Sequence, residues 1–259
     1  MERIYRVVRG GEVFHVSEQD GVVRRLVLNG ATLFDGYELG DTVAGGLRGC
    51  IVLAPIRPSK LVCVGLNYRD HAAEMKKPLP AEPMLFLKPS TTVCDPGATI
   101  LLPPNVGRVD FEAELAVVIG HRAHRVPRAR AGEYVFGITA VNDVTARDIQ
   151  NREIQYTRAK GFDTFAPIGP CIARGVGEAP RVVEGWQNGV CRQRSTTEQL
   201  IFPIDFLIEY ITFVMTLEPG DVISTGTPAG VGPLASGDRF TVRIDGVGDL
   251  SNPVEAETE

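Results

Sequence analysis

The sequence predicts a mainly β protein with a few separate helices, an α+β fold, and three observations carry that reading. The first part of the chain is a series of short apolar runs alternating with polar residues, IYRVVR, EVFHV and GVVRRLVL, broken by glycines and an Asn-Gly pair. Further on, apolar runs of strand length recur between breaks, at LVCVG, at MLFLKP and from Val109 to Gly120. One stretch, EQLIFPIDFLIEYITFVMTL from Glu198 to Leu217, carries a long helical period, and its aromatic and Met stripe is expected in the core.

Taken in order, the N-terminal strands turn at Asn29-Gly30, a hairpin pair. His15 stands alone among apolar neighbours and is expected as a packed strand residue rather than a ligand. Pro55, Arg57 and Pro58 close this part, because proline interrupts both helices and central strands. A small N-terminal β domain over 1–57 and a catalytic domain over 58–259 are therefore expected. The second part opens on LVCVG, which reads as a buried strand, with Asn67 or Asp70 starting a short helix. On that helix His71 and Glu74 share a face, where a carboxylate can orient an imidazole and raise its basicity; an exposed helix with an incidental pair is the competing reading. Pro78, Pro80 and Pro83 then mark a loop able to move over a site. MLFLKPSTTV follows, with Lys88 near a strand end.

The stretch VDFEAELAVVIG, Val109 to Gly120, organises the rest. Strand alternation places Glu112, Glu114, Ala116 and Val118 on one face and Phe111, Ala113, Leu115, Val117 and Ile119 on the other. Two like charges beside so apolar a run call for a cation, and a hard divalent metal is the natural one; a strand with a wet polar face is the alternative. HRAHRVPRARA, His121 to Ala131, reads as a solvated connection. In YVFGITAVNDVTARDIQ an apolar run ends at Asp143, and a carboxylate aimed at the same face would complete a three-oxygen site that suits Mg2+. Lys160 beside Gly161 can approach a ligand closely and donate to an oxyanion. QNG at 187–189 reads as a hairpin, and Gly226-Thr227-Pro228 as either a tight turn or a donor site at Thr227.

Composition excludes several function classes. At 259 residues and 44% apolar content the chain can bury a sizeable core, and a net charge of −5 argues against a nucleic-acid or anionic-membrane partner. Five scattered cysteines without a C-x-x-C pair suit a reducing compartment. The charged N-terminal segment has no signal-peptide core, and no apolar run approaches the ~20 residues of a membrane span, so a soluble cytoplasmic protein acting on small molecules is expected.

Six motifs occur in one order: VCVGLNYRDHAAEM, the F-x-K-P segment at Phe86 to Pro89, DFEAELAVVIG, NDVTARDIQ, RAKGFDTFAPIGP and TLEPGDVISTGTPAGVG. From about residue 60 onward the chain thus resembles the fumarylacetoacetate hydrolase family, most of all the bacterial members of 2-hydroxyhepta-2,4-diene-1,7-dioate isomerase type. The resemblance implies a mixed β-sheet roll around a divalent metal, a small N-terminal β domain and a homodimer. It implies metal ligation by Glu112, Glu114 and Asp143, a catalytic His71 and Glu74 pair on a mobile helix, an oxyanion-stabilising Lys160, and substrate contacts from Gln150 and Thr227. Mg2+ is the expected ion, with Mn2+ or Ca2+ as alternatives. Some members have Arg where this chain has Leu66, so a different group must grip the substrate carboxylate here.

The function so implied is metal-dependent chemistry on 2-oxo or 2-hydroxydienoic acids through an enolate, as an isomerase/decarboxylase or C–C hydrolase of aromatic-compound catabolism. Acylpyruvate hydrolysis and oxaloacetate decarboxylation are the nearest alternatives. A glycosidase would leave Asp143 and Lys160 without a role, and one Trp is too few for sugar platforms. A non-catalytic metal-binding module would leave His71, Glu74 and Lys160 unexplained.

Overall fold

The computed structural model describes residues 1–177 and 179–258. Its largest layer is a sheet of 12 strands running β4-β3-β2-β1-β14-β12-β11-β17-β6-β7, with two short strands attached. The path comprises β1 Glu2–Arg9, β2 Glu12–Gln19, β3 Val22–Leu28, β4 Tyr37–Thr42, β6 Lys60–Gly65, β7 Met84–Pro89, β11 Ala113–Ile119, β12 Val135–Asn142, β14 Ala166–Arg174 and β17 Val222–Ser224. Strand β5, Ile51–Leu53, pairs with β1, and β8, Val93–Cys94, pairs with β14. A five-stranded sheet holds β9 Ile100–Leu102, β15 Val182–Gln187, β16 Val190–Thr196, β19 Arg239–Ile244 and β20 Gly248–Ala256. Three short strands, β10 Val109–Phe111, β13 Thr145–Ala146 and β18 Gly232–Pro233, make a third sheet.

The N-terminal strands join the main sheet directly, because Glu2, Arg3 and Ile4 of β1 pair antiparallel with Arg174, Ala173 and Ile172 of β14. Alternation in β1 to β3 marks them as half-buried, which leaves their neighbours open until the tertiary pairing is seen. Asn29-Gly30 does not make the expected tight hairpin. The loop is longer, with a 3-10 turn at Leu33–Asp35, and closes where the Asn29 amide donates to Gly36 O at 2.9 Å. Asn188-Gly189 does form a two-residue turn joining β15 to β16, with both φ values positive at 53° and 79°, the geometry that asparagine and glycine tolerate best.

Four short α-helices are present among the described residues: α1 Arg69–Glu74, α2 Arg147–Arg152, α3 Thr157–Lys160 and α4 Ile204–Val214. The long helical period is realised only from Ile204, because Pro203 precedes it in extended conformation, and Met215 is extended at the other end. Its apolar stripe is only partly core: Leu207, Ile208 and Ile211 are buried, but Phe213 stands exposed. Neither expected cap starts α1. Tyr68 occupies that position without a side-chain bond, and the buried Asn67 amide instead bridges Thr225 O (2.8 Å) and Phe202 O (3.1 Å).

Strand β11 is buried on both faces. Leu115, Val117 and Ile119 enter the larger apolar cluster, while Ala116 and Val118 enter a second cluster on the opposite face. Its four large aliphatic side chains, Leu115, Val117, Val118 and Ile119, contribute about 1.5–3 kcal/mol each by leaving water, so this strand is a fixed platform. Among the described residues no helix is long and apolar enough to cross a membrane.

Candidate active site

The expected single strand from Val109 to Gly120 is two strands in different sheets, and the chain changes sheet at Glu112. At that break the Glu112 amide donates to Asn142 Oδ1 (3.0 Å), and Glu112 O accepts from the Asp143 amide (2.9 Å). The register of β11 against β12 pairs Ala113 with Asn142, so Asp143 emerges directly across from Glu112. Glu114 shares the strand face of Ala116 and Val118, as alternation requires. Glu112, Glu114 and Asp143 are all buried, with one oxygen from each lying within 4.8 Å of the others. The wet-face alternative is thereby removed.

Each carboxylate is held by its own donors. Glu114 Oε2 accepts from Ser224 Oγ (2.5 Å) and the Gly226 amide (2.9 Å). Gly226 has φ +97°, and a Cβ there would meet Asn67 Cβ at 2.8 Å, so glycine is required to bring that amide in. Glu112 Oε1 accepts from Arg147 Nη2 (2.5 Å), and Asp143 Oδ1 from Lys88 Nζ (2.6 Å). Lys160, buried at the end of α3, places its ammonium 2.8 Å from Glu112 Oε2 and 2.6 Å from Asp143 Oδ2.

Electrostatics separates the acids. Burial pushes the Glu114 carboxyl up from its ordinary value, and repulsion from Asp143 and Glu112 pushes it further. Burial would raise Glu112 too, but Lys160 and Arg147 more than offset that and hold it below the usual range. Burial disfavours the charge on Lys160, yet Asp143 and Glu112 together keep it firmly protonated. The cluster thus has compensated acids on one side and, at Glu114, a carboxylate short of positive charge. Three converging hard oxygen donors with that deficit fit a divalent cation.

All eight expected site residues, His71, Glu74, Glu112, Glu114, Asp143, Gln150, Lys160 and Thr227, line one cavity of about 520 Å³. His71 Nδ1 lies 3.0 Å from Glu74 Oε2, and Glu74 is anchored in turn by the Gly230 amide (3.1 Å). In a neutral imidazole, a hydrogen donated from Nδ1 to this carboxylate would leave the Nε2 lone pair as the free acceptor. Gln150 Oε1 accepts from Arg147 Nη1. Thr227 Oγ1 donates to Ala113 O (3.0 Å) and accepts from Gln193 Nε2 (2.8 Å), so its one hydrogen is already committed. Leu66 also lines the cavity, in a left-handed conformation with φ 46°, and besides Lys160 the lysines and arginines in the same lining are Lys77, Arg108 and Arg147. His121 and His124 are exposed and do not line this cavity.

Three residues of this cluster have no role in the sequence reading. Lys88 is fully buried against Asp143, Asp110 takes Arg108 Nε (2.6 Å) and Arg147 Nε (2.8 Å), and Arg147 links Asp110, Glu112 and Gln150. For Asp110 the signal was present, since D-x-E-x-E continues the same alternation by one more step. For Lys88 the signal was a lysine inside an apolar strand.

A strand-built cavity floored by three buried acids and walled by a His–Glu pair defines a small-molecule enzyme. The family model for the fumarylacetoacetate (FAA) hydrolase C-terminal domain matches residues 60–255, and the chain belongs to this family of isomerases and hydrolases. A Mycobacterium marinum structure described as 2-hydroxyhepta-2,4-diene-1,7-dioate isomerase is 39% identical with 100% of both chains covered, at a TM-score of 0.89. A Mycobacterium smegmatis structure described as 5-carboxymethyl-2-hydroxymuconate delta-isomerase is 41% identical over 98% of this chain and 100% of that one, also at 0.89. A Bacillus subtilis oxaloacetate tautomerase is 44% identical over 216 residues, 78% of this chain and 72% of the relative.

Proposed function

We propose that this chain is a divalent-metal-dependent isomerase acting on 2-oxo and 2-hydroxydienoic acids by proton transfer, with Mg2+ as its ion. The observation that carries the reading is the convergence of Glu112, Glu114 and Asp143 in one cavity with Lys160 and the His71–Glu74 pair. A divalent ion held by the three carboxylates would act as a Lewis acid on a substrate oxygen. Lys160 stabilises negative charge that develops on that side of the substrate, since Glu112 and Asp143 fix its ammonium at the cavity floor. Glu74 orients the imidazole, and His71 Nε2 carries a proton between the substrate's enol oxygen and a carbon of its conjugated chain. Gln150, held by Arg147, and Thr227 contribute polar wall contacts, while Leu66 leaves carboxylate recognition to the cationic groups of the same lining.

The relatives named as isomerases and as a tautomerase support proton transfer over hydrolysis. Hydrolysis of an acylpyruvate is the second reading, because a His–Glu pair anchored by Gly230 is equally able to deprotonate water. The reading includes a homodimer, a cytoplasmic location and a place in aromatic-compound catabolism, and sedimentation of the purified protein checks the first of these. The activity is tested by following the absorbance of 2-hydroxydienoates, enol oxaloacetate and acylpyruvates with Mg2+. Isomerisation of a dienoate or oxaloacetate enol that stops on chelation is expected. Turnover of acylpyruvates alone would favour the hydrolase, and turnover of none would refute both.

A further inference from the structure

We propose that Lys88 is a positioning residue that confines Asp143 to one-oxygen ligation and so biases the metal site toward a small octahedral ion over a larger one. The inference rests on the reading of Glu112, Glu114 and Asp143 as metal ligands. It starts from a pattern those three acids share: in each, one oxygen is engaged by a donor other than Lys160. Asp143 Oδ1 accepts from Lys88 Nζ at 2.6 Å, Glu112 Oε1 from Arg147 Nη2 at 2.5 Å, and Glu114 Oε2 from Ser224 Oγ at 2.5 Å and the Gly226 amide at 2.9 Å. The opposite oxygens of Asp143 and Glu112 accept only from Lys160, which lines the cavity, and among the described residues nothing donates to Glu114 Oε1.

Lys88 is the most committed of these clamps. It has no exposed surface, does not line the cavity, and its ammonium also donates to Val144 O at 3.1 Å, which fixes its direction. A buried lysine without access to substrate acts only through Asp143. Turning both Asp143 oxygens toward one ion would break a buried charge-assisted bond and strand an ammonium, a change far costlier than losing a surface contact. Mg2+ takes six oxygens in a tight octahedron and is content with single oxygens from carboxylates. Ca2+ takes 6–8 oxygens at longer distance and gains from bidentate carboxylates, which the clamp denies it.

The test is calorimetric titration of the full chain with Mg2+ and, separately, with Ca2+, for the wild type and Lys88→Met, a neutral residue of similar length. Loss of the ammonium strengthens the attraction for both divalent ions alike, so only the ratio of affinities reports the geometry. The ratio of Ca2+ to Mg2+ affinity is expected to rise about tenfold in the variant, the lower end of what outer ligand partners usually control. A ratio unchanged while both affinities move together would overturn the proposal and leave Lys88 a structural ion pair. If Lys88→Met does not fold, the wild type alone decides through infrared carboxylate bands. Wide, one-oxygen splittings with Ca2+ as well as Mg2+ support the clamp, and narrow bidentate splittings with Ca2+ refute it. Absence of heat from either ion in the wild type would instead refute the metal reading itself, and the clamp with it.

Discussion

Replacing Lys160 with methionine probes the cluster most sharply, because its ammonium bonds two of the three acids at once. Lys160 and Asp143 are almost wholly buried, with side-chain exposures of 2% and 1%. Removing one partner of such a pair leaves uncompensated charge and costs about 3–5 kcal/mol. In a chain of this length each kcal/mol lowers Tm by about 2–4 °C, so chelator-treated Lys160→Met should melt roughly 6–20 °C below the wild type. Added Mg2+ should then narrow the gap, since the ion no longer competes with the ammonium for Glu112 and Asp143, and a ligand at 100 times its Kd returns about 2.7 kcal/mol. Activity should fall in kcat by ~100-fold or more, the scale of a lost oxyanion donor. Differential scanning calorimetry in chelator and in Mg2+, with kinetics on the same samples, reads all three effects. An unchanged Tm in chelator together with a loss confined to KM would refute the role assigned to Lys160.

Glu114→Gln and Asp143→Asn should each weaken Mg2+ binding by tenfold or more (roughly one anionic ligand's contribution) and remove activity while the fold persists; undiminished affinity in both by calorimetry would unseat them as ligands. His71→Ala should abolish proton transfer and any hydrolysis of an acylpyruvate, whereas decarboxylation should fall less, and intact hydrolysis would dissolve the His71–Glu74 pair as a base. Gly226→Ala forces a side chain onto Asn67 in a left-handed conformation, so a loss of at least ~1 kcal/mol in urea denaturation is expected, with weaker Mg2+ binding because the amide leaves Glu114. Burial, aided by Arg6, holds His15 below its ordinary value. The unfolded chain therefore protonates His15 first, stability falls as pH drops below about 6.5, and His15→Asn should lessen that fall between pH 7 and pH 5.5.

The parts of this architecture that local patterns encode were legible in the sequence. Alternation alone put Glu112 and Glu114 on one face above apolar residues, and the end of an apolar run located Asp143. The spacing of His71 and Glu74 is the one they use in α1, with the hydrogen bond in place. What alternation does not encode is the partner of a strand. The pairing of β1 with β14, the change of sheet at Glu112 and the contact of Lys88 with a residue 55 positions away depend on long-range packing. The Asn29-Gly30 turn and the shortened α4 fell short for local reasons that competed with the pattern: a 3-10 turn reclosed the loop, and Pro203 set the helix start. Asp110 was within reach of the same alternation argument that located the glutamates.

The central claim, that the three acids form a metal site on which turnover of a 2-oxo or 2-hydroxydienoic acid depends, is tested most directly by one titration. Chelator-treated protein is titrated with Mg2+ while the ultraviolet absorbance of a 2-hydroxydienoate is followed. The account predicts no turnover before the ion is added and full activity at one bound ion per chain. Turnover that is undiminished in chelator and indifferent to Mg2+ would contradict it.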